Sequence, residues 1–75
     1  MRKEKHKIQI GDILYENSVS NEKVIKWLIA DIYVSEYAMG NATIFVVESE
    51  EYGRQEKFLG DVRFWFDTAE EAQSW

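Results

Sequence analysis

One segment constrains the fold of this chain more than any other. Residues 22–37 are rich in β-branched and aromatic side chains. As a strand, this segment places Val24 and Val34 on one side and Trp27, Tyr33 and Tyr37 on the other, so both sides are apolar. An apolar stripe with helical spacing also fits, but the content of β-forming residues favours a strand. We predict a long central strand that bends within a small sheet or barrel.

The neighbouring segments have the pattern of shorter strands. Residues 42–50 alternate between two apolar sides and follow a turn at residues 38–41, which predicts a hairpin with the central strand. Gly11 interrupts the first apolar segment, as a bulge or bend would. Further strands are predicted over residues 8–16, 55–59 and 62–66, with a loop at 17–21 and turns at 51–54 and 60–61.

The last part of the chain changes from strand to helix. In the predicted strand over residues 62–66, Val62, Phe64 and Phe66 face the core and Trp65 faces away. Thr68 and Glu71 have the spacing of a capping box, which predicts a short helix whose Ala72 and Trp75 rest on the sheet. The expected fold is α+β and mostly β: a small antiparallel sheet or barrel of four to five strands with a short C-terminal helix.

The length of 75 residues fits one small domain, which we place at residues 8–75, behind a flexible basic leader at residues 1–7. The chain has no cysteine and no proline, which excludes disulfides, thiol nucleophiles and cysteine-based zinc sites. No apolar segment has the length of a membrane helix. We therefore expect a cytoplasmic protein that does not interact with a membrane.

The titratable residues do not suggest an enzyme. The single histidine, His6, lies in the leader without a positioned partner. Glu48, Glu50 and Glu51 cluster near a hairpin end, but the sequence shows neither the cleft that a catalytic pair needs nor a calcium loop. We expect a non-enzymatic protein without cofactor or metal.

The charge distribution bears on the class of partner. Residues 31–75 contain three basic and ten acidic groups, a net charge of −7, whereas residues 1–30 carry a net charge of +2. An acidic body repels the phosphates of nucleic acids and attracts basic protein surfaces, such as those of proteins that handle nucleic acid. A different interpretation is direct nucleic-acid binding through the leader. Its basic side chains are Arg2, Lys3, Lys5 and Lys7.

Aromatic residues are the second indication of binding. Three tryptophans, four tyrosines and four phenylalanines exceed what one side of so small a sheet buries, so some are expected at the surface. Ringed by carboxylates, they would form an interface for a basic protein. The alternative is a homo-oligomeric structural component, for example a homodimer formed through an open sheet edge. The predicted partner-binding residues are Glu36, Glu48, Glu50, Glu51, Glu56, Asp61, Trp27, Tyr33, Tyr37 and Trp65.

Three short motifs carry a family resemblance. They are Ile10-Gly11-Asp12-x-Leu14-Tyr15, Phe58-Leu59-Gly60-Asp61 and Phe64-x-Phe66-Asp67-Thr68-x-Glu70-Glu71-Ala72. In this layout, which covers residues 8–75, the chain resembles small SH3-like β-barrel proteins encoded by phages and mobile elements of Gram-positive bacteria. The resemblance implies a non-enzymatic accessory protein that inhibits a host nucleic-acid-handling or defence protein by occluding its basic surface.

Overall fold

A computed structural model describes residues 8–18 and 22–74. The elements are β1 (Ile13–Ser18), β2 (Lys23–Tyr37), β3 (Gly40–Ser49), β4 (Gly53–Phe58), α1 (Leu59–Val62) and α2 (Ala69–Gln73). The strands form one antiparallel sheet in the order β1-β2-β3-β4, so each strand pairs with its neighbour in the chain. The prediction of a mostly β fold is confirmed. The sheet is open, however, and is not closed into a barrel.

The segment that most constrained the fold is a strand and not a helix, as predicted. β2 lies between β1 and β3 in the sheet order, but it pairs with β1 through its first half and with β3 through its second half, and the two pairings overlap only at Leu28. Two glycines with positive φ stand where the following hairpins begin their second strands: Gly40 at 124° and Gly53 at 72°. A side chain disfavours these conformations, which explains glycine at both turns.

β1 differs from its predicted bounds at both ends. It begins at Ile13, after a turn in which Gly11 has a φ of 97°, so the apolar residues before this turn do not belong to the strand. It ends at Ser18, within the predicted loop. The bend does keep contact with the sheet, because the Gly11 N–H donates to the Ile29 carbonyl at 2.8 Å.

A β-bulge divides β2 into two halves. Ile29 pairs with Val47, but the next pair is Asp31 with Val46, which leaves Ala30 as the extra residue. An extra residue reverses the side to which the following side chains point.

The bulge corrects one prediction about the aromatic residues. Trp27 lies before the bulge and points into the core, whereas Tyr33 and Tyr37 lie after it and point to the opposite side. The prediction that these three rings share one strand face is therefore wrong. Nothing in the alternation of apolar residues distinguishes Ala30 as the position of the shift.

The core lies on the inner side of the sheet. Trp27 is 2% exposed and stacks on Trp65, with ring centroids 5.4 Å apart and planes inclined by 11°. The indole N–H of Trp27 donates to Glu16 Oε1 at 2.9 Å, so this buried donor is satisfied. The buried cluster comprises Leu14, Ile25, Trp27, Ile29, Phe45, Val47, Val62 and Trp65.

Residues 62–66 do not form the predicted strand. Val62 ends α1 and is fully buried, Trp65 is buried against Trp27, and Phe64 is 55% exposed. The predicted assignment of Phe64 to the core and Trp65 to the opposite side is therefore wrong. The helical turn changes the period of the segment, so its side chains no longer alternate. The chain then reaches the free edge of β1, where Phe66 and Tyr15 exchange two backbone hydrogen bonds of 2.7 and 2.8 Å.

The C-terminal helix was predicted correctly. The Thr68 hydroxyl accepts a hydrogen bond from the Glu71 N–H at 3.2 Å, which caps the first turn of α2. Ala72 is fully buried, and its carbonyl accepts a hydrogen bond from Asn17 Nδ2 at 2.8 Å. The predictions for the leader at residues 1–7 and for Trp75 lie outside the described residues.

Candidate protein-binding surface

The side of the sheet opposite the core, called here the outer face, includes three rows of paired residues and, beyond them, Tyr37 near the end of β2. Directly paired residues on antiparallel strands point to the same side. The first row runs across β2, β3 and β4 as Tyr33, Ile44 and Phe58. The second consists of Asp31, Val46 and Glu56, and the third runs from β1 to β4 as Ile13, Leu28, Glu48 and Arg54.

One end of the outer face is aromatic. Tyr33, Tyr37 and Phe58 are 39%, 51% and 50% exposed, and the rings of Tyr37 and Phe58 lie 6.2 Å apart. Tyr33 and Phe58 flank Ile44, which is buried although it points away from the core. These three rings, called here the aromatic end, place apolar area at the surface of the protein.

Carboxylates border the aromatic end. Loss of hydration, together with a hydrogen bond to Glu56, raises the pKa of the Tyr33 hydroxyl above its ordinary value. Asp31 and Glu56 flank Val46 in the second row. A shallow depression of about 550 Å³ lies beside these residues, with Arg54 also in its lining.

The other end of the outer face is a cleft with an apolar floor and an acidic rim. It has a volume of about 630 Å³, and we call it the acidic cleft. Ile13 and Leu28, which form its floor, are 42% and 38% exposed. Its further lining includes Val24, Lys26, Glu48, Glu50 and Glu51.

Two of these carboxylates have partners within the chain. Glu51 forms a salt bridge with Lys23, and this hydrogen bond raises the pKa of the Lys23 ammonium above its ordinary value. Glu48 lies 3.5 Å from Arg54 Nε. Both pairs are solvent-exposed, so each contributes little to stability and can be exchanged for another cation.

The structure brings together six of the ten predicted binding residues. Tyr33, Tyr37, Glu48 and Glu56 lie on the outer face, with Glu50 and Glu51 at the rim of the acidic cleft. Phe58, Leu28 and Ile13 belong to the same surface but were not predicted. Their position opposite the core becomes evident only once the strand register is known.

The other four predicted residues lie elsewhere. Trp27 and Trp65 are 2% and 4% exposed, so the prediction that they contact a partner is wrong: they are core residues that stack on each other. Glu36 pairs with Asn41 after the bulge and points away from the outer face. Asp61 is exposed in α1 and does not belong to any of the three rows.

Other features of the described chain bear on the class of site. No group of three or more His, Asp or Glu side chains that could hold a metal ion occurs within residues 8–18 and 22–74. No helix among those residues is long and apolar enough to cross a membrane. Comparisons with protein-family models, curated protein sequences and solved structures found no match for this chain.

Proposed function

We propose that this protein is a small non-enzymatic binding module whose outer face covers a basic surface of another protein. The observation that carries the proposal is the aromatic end bordered by carboxylates. Half-exposed rings supply apolar contact area at little entropic cost, and tyrosine is frequent among residues that dominate binding energy. Asp31 and Glu56 beside these rings select a partner of opposite charge.

The overall charge supports the same class of partner. Residues 31–75 have a net charge of −7, so a field of one sign extends well beyond the outer face. Such a field accelerates encounters with a basic surface and opposes encounters with nucleic acid. Proteins that handle nucleic acid carry the matching basic surfaces, and covering one of them would prevent nucleic acid from binding there.

The inhibitory role and the relation to small SH3-like proteins of phages and mobile elements belong to the same proposal. The bridge between Tyr15 and Phe66 supports the SH3-like part, because it brings the segment after α1 back to the free edge of β1. The inhibitory part rests on the combination of small size, acidic charge and a sheet face that carries exposed apolar side chains.

A second candidate function is a homo-oligomeric structural component. In the part of the chain that the structure describes, β4 has a neighbouring strand on one side only, which favours this function because an edge strand can pair with the same strand of another copy. The sequence of β4 opposes it, because Arg54, Glu56 and Lys57 place charges along that edge. Sedimentation velocity at several protein concentrations distinguishes the two functions.

The test of the proposed function is affinity capture from a lysate of a Gram-positive bacterium at about 50 and 300 mM salt. Three forms of the immobilised protein are compared: wild type, Tyr33→Ser combined with Glu56→Lys, and the charge-matched control Glu70→Lys in α2. Every captured protein is identified, purified and tested for nucleic-acid binding with and without the module.

We expect wild type and Glu70→Lys to capture a basic nucleic-acid-binding protein more strongly at low salt. The double variant is expected to lose it, and the module should inhibit nucleic-acid binding by the purified target. Capture that is the same for all three forms would contradict the proposed surface. Recovery of only the protein itself would favour the homo-oligomeric function.

A further inference from the structure

The acidic cleft lies where two strands of the sheet separate. The pairing of β2 with β3 begins at Leu28 opposite Glu48, and among the described residues no earlier residue of β2 pairs with β3. β2 nevertheless continues back to Lys23 along β1, whereas β3 ends at Ser49 and enters a turn. Within residues 8–18 and 22–74, one edge of β2 therefore faces the cleft without a neighbouring strand.

This arrangement combines three properties that an extended peptide requires. The open edge of β2 offers backbone groups for strand addition. Ile13, Val24 and Leu28 provide an apolar floor beside that edge. Glu50 and Glu51 are exposed in the lining of the cleft, where their carboxylates can pair with the basic side chains of a bound segment.

The chain itself shows which charged group fits the rim. Lys23, at the start of β2, points to the core side of the strand, and its ammonium forms a salt bridge with Glu51, one of the carboxylates that line the cleft. The same ammonium lies 5.6 Å from the ring centroid of Tyr52. A lysine of a partner protein would pair with the same carboxylate, Glu51, and would compete with Lys23 for it.

We propose that the acidic cleft binds an extended basic segment of the partner protein, in which an apolar side chain stands between lysines or arginines. The apolar side chain rests on Ile13 and Leu28, the basic side chains pair with Glu50 and Glu51, and one of them displaces Lys23. The inference rests on the proposed function and names the part of the partner that is recognised.

If Lys23 competes with the basic side chains of the partner, substitutions within the cleft and at Lys23 change the affinity for a basic peptide in opposite directions. Glu50→Lys removes an attractive charge and is expected to weaken binding of a basic peptide about fivefold. Lys23→Met frees Glu51 and is expected to strengthen binding about threefold. Arg63→Met removes one positive charge outside the cleft, so any strengthening that it causes measures the effect of net charge alone.

The experiment uses the synthetic peptide Ac-Lys-Val-Lys-Val-Lys-NH₂ and, as control, its counterpart with glutamate in place of lysine. Binding to the full chain is followed by ¹⁵N chemical-shift perturbation, which gives both an affinity and a position. Glu70→Lys serves as the charge-matched control for Glu50→Lys. Each variant is first compared with wild type by circular dichroism, and Glu51→Lys replaces Glu50→Lys if the latter does not fold.

We expect shifts at the amides of Val24, Lys26, Leu28 and Glu50 with the basic peptide, the two opposite effects of the cleft variants, and smaller effects of both controls. Equal binding of the acidic peptide, or equal strengthening by Lys23→Met and Arg63→Met, would overturn the inference. Shifts confined to the amides of Tyr33 and Glu56 would overturn it as well but leave the proposed function intact. Concentration-dependent shifts without peptide would instead assign the cleft to a second copy of the chain.

Discussion

The two halves of β2 have the same kind of sequence and opposite roles. Before the bulge, Ile25, Trp27 and Ile29 are buried, and this half pairs with β1. After the bulge, Tyr33, Val34 and Tyr37 are largely exposed, and among the described residues the part from 34 to 37 pairs with β3 alone. β-propensity therefore specifies the strand but not which half becomes core, because burial depends on the strands and helices that cover each half.

The largest expected effect comes from truncating one aromatic side chain to alanine on each side of the bulge. Trp27→Ala removes the contacts with Trp65 and Tyr52 and leaves a large cavity, so we expect a loss of about 4 kcal/mol in the free energy of unfolding. Tyr33→Ala removes a half-exposed ring and is expected to cost about 1 kcal/mol or less. Urea unfolding followed by far-ultraviolet circular dichroism measures both. Comparable losses would mean that the second half of β2 supports the core as well.

The first half of β2 also depends on one polar contact. Glu16→Leu removes the acceptor of the Trp27 indole N–H and leaves a buried donor unpaired, which we expect to cost about 2 kcal/mol. Glu16→Gln keeps an amide oxygen in place of the carboxylate and should retain most of that stability. The same urea measurement compares the two variants, and equal losses would show that charge and not the acceptor matters at this position.

Much of the fold was predictable from the sequence, and the features that were not predictable have physical causes. The strand over residues 22–37, the hairpin turn at Gly40 and the Thr68 cap follow from local preferences of the chain, so the sequence predicts them. The bulge at Ala30 was not predictable, because alanine carries no local signal for it. Only the pairing with β3 reveals that the alternation reverses there.

The candidate site was predicted less completely than the fold for the same reason. Glu48, Glu50 and Glu51 were grouped correctly because they are adjacent in the sequence. Tyr33 and Phe58 are far apart in the sequence, and predicting that they lie in one row requires the register of β2, β3 and β4. Trp65 was assigned to the wrong side because residues 59–62 form a helical turn, which changes the period of the segment that follows.

Amide hydrogen exchange compares the halves without any substitution. Residues 34–37 and 40–43 form a two-stranded ribbon without a third strand among the described residues, and such ribbons have little stability of their own. We expect the hydrogen-bonded amides of this ribbon to exchange at least about tenfold faster than those of Ile25, Trp27 and Ile29. Uniform protection along β2 would indicate that the ribbon opens only when the whole sheet unfolds.

The smallest expected effect is a pH dependence of the folding stability. Each half of β2 contributes one titrating group to it, Lys23 in the first half and Tyr33 in the second. Loss of hydration raises the pKa of Tyr33, and the hydrogen bond to Glu51 raises the pKa of Lys23. In both cases the folded state holds a proton that the unfolded state releases above its ordinary pKa of about 10. The stabilisation is therefore fully present below that pH and is lost as the pH rises through the folded-state pKa.

The two contributions can be separated by substitution. Tyr33→Phe removes the titrating group of the second half, and Lys23→Met removes that of the first half. Each variant is expected to lose less stability than wild type between pH 9 and pH 11, measured as the change in the urea midpoint, and the double variant should lose least. If both single variants keep the full wild-type dependence, other groups control the alkaline limit of the fold. If only Tyr33→Phe reduces the pH dependence, the salt bridge with Glu51 is too weakly formed to raise the pKa of the Lys23 ammonium. Lys23 is then free to exchange with another cation at Glu51.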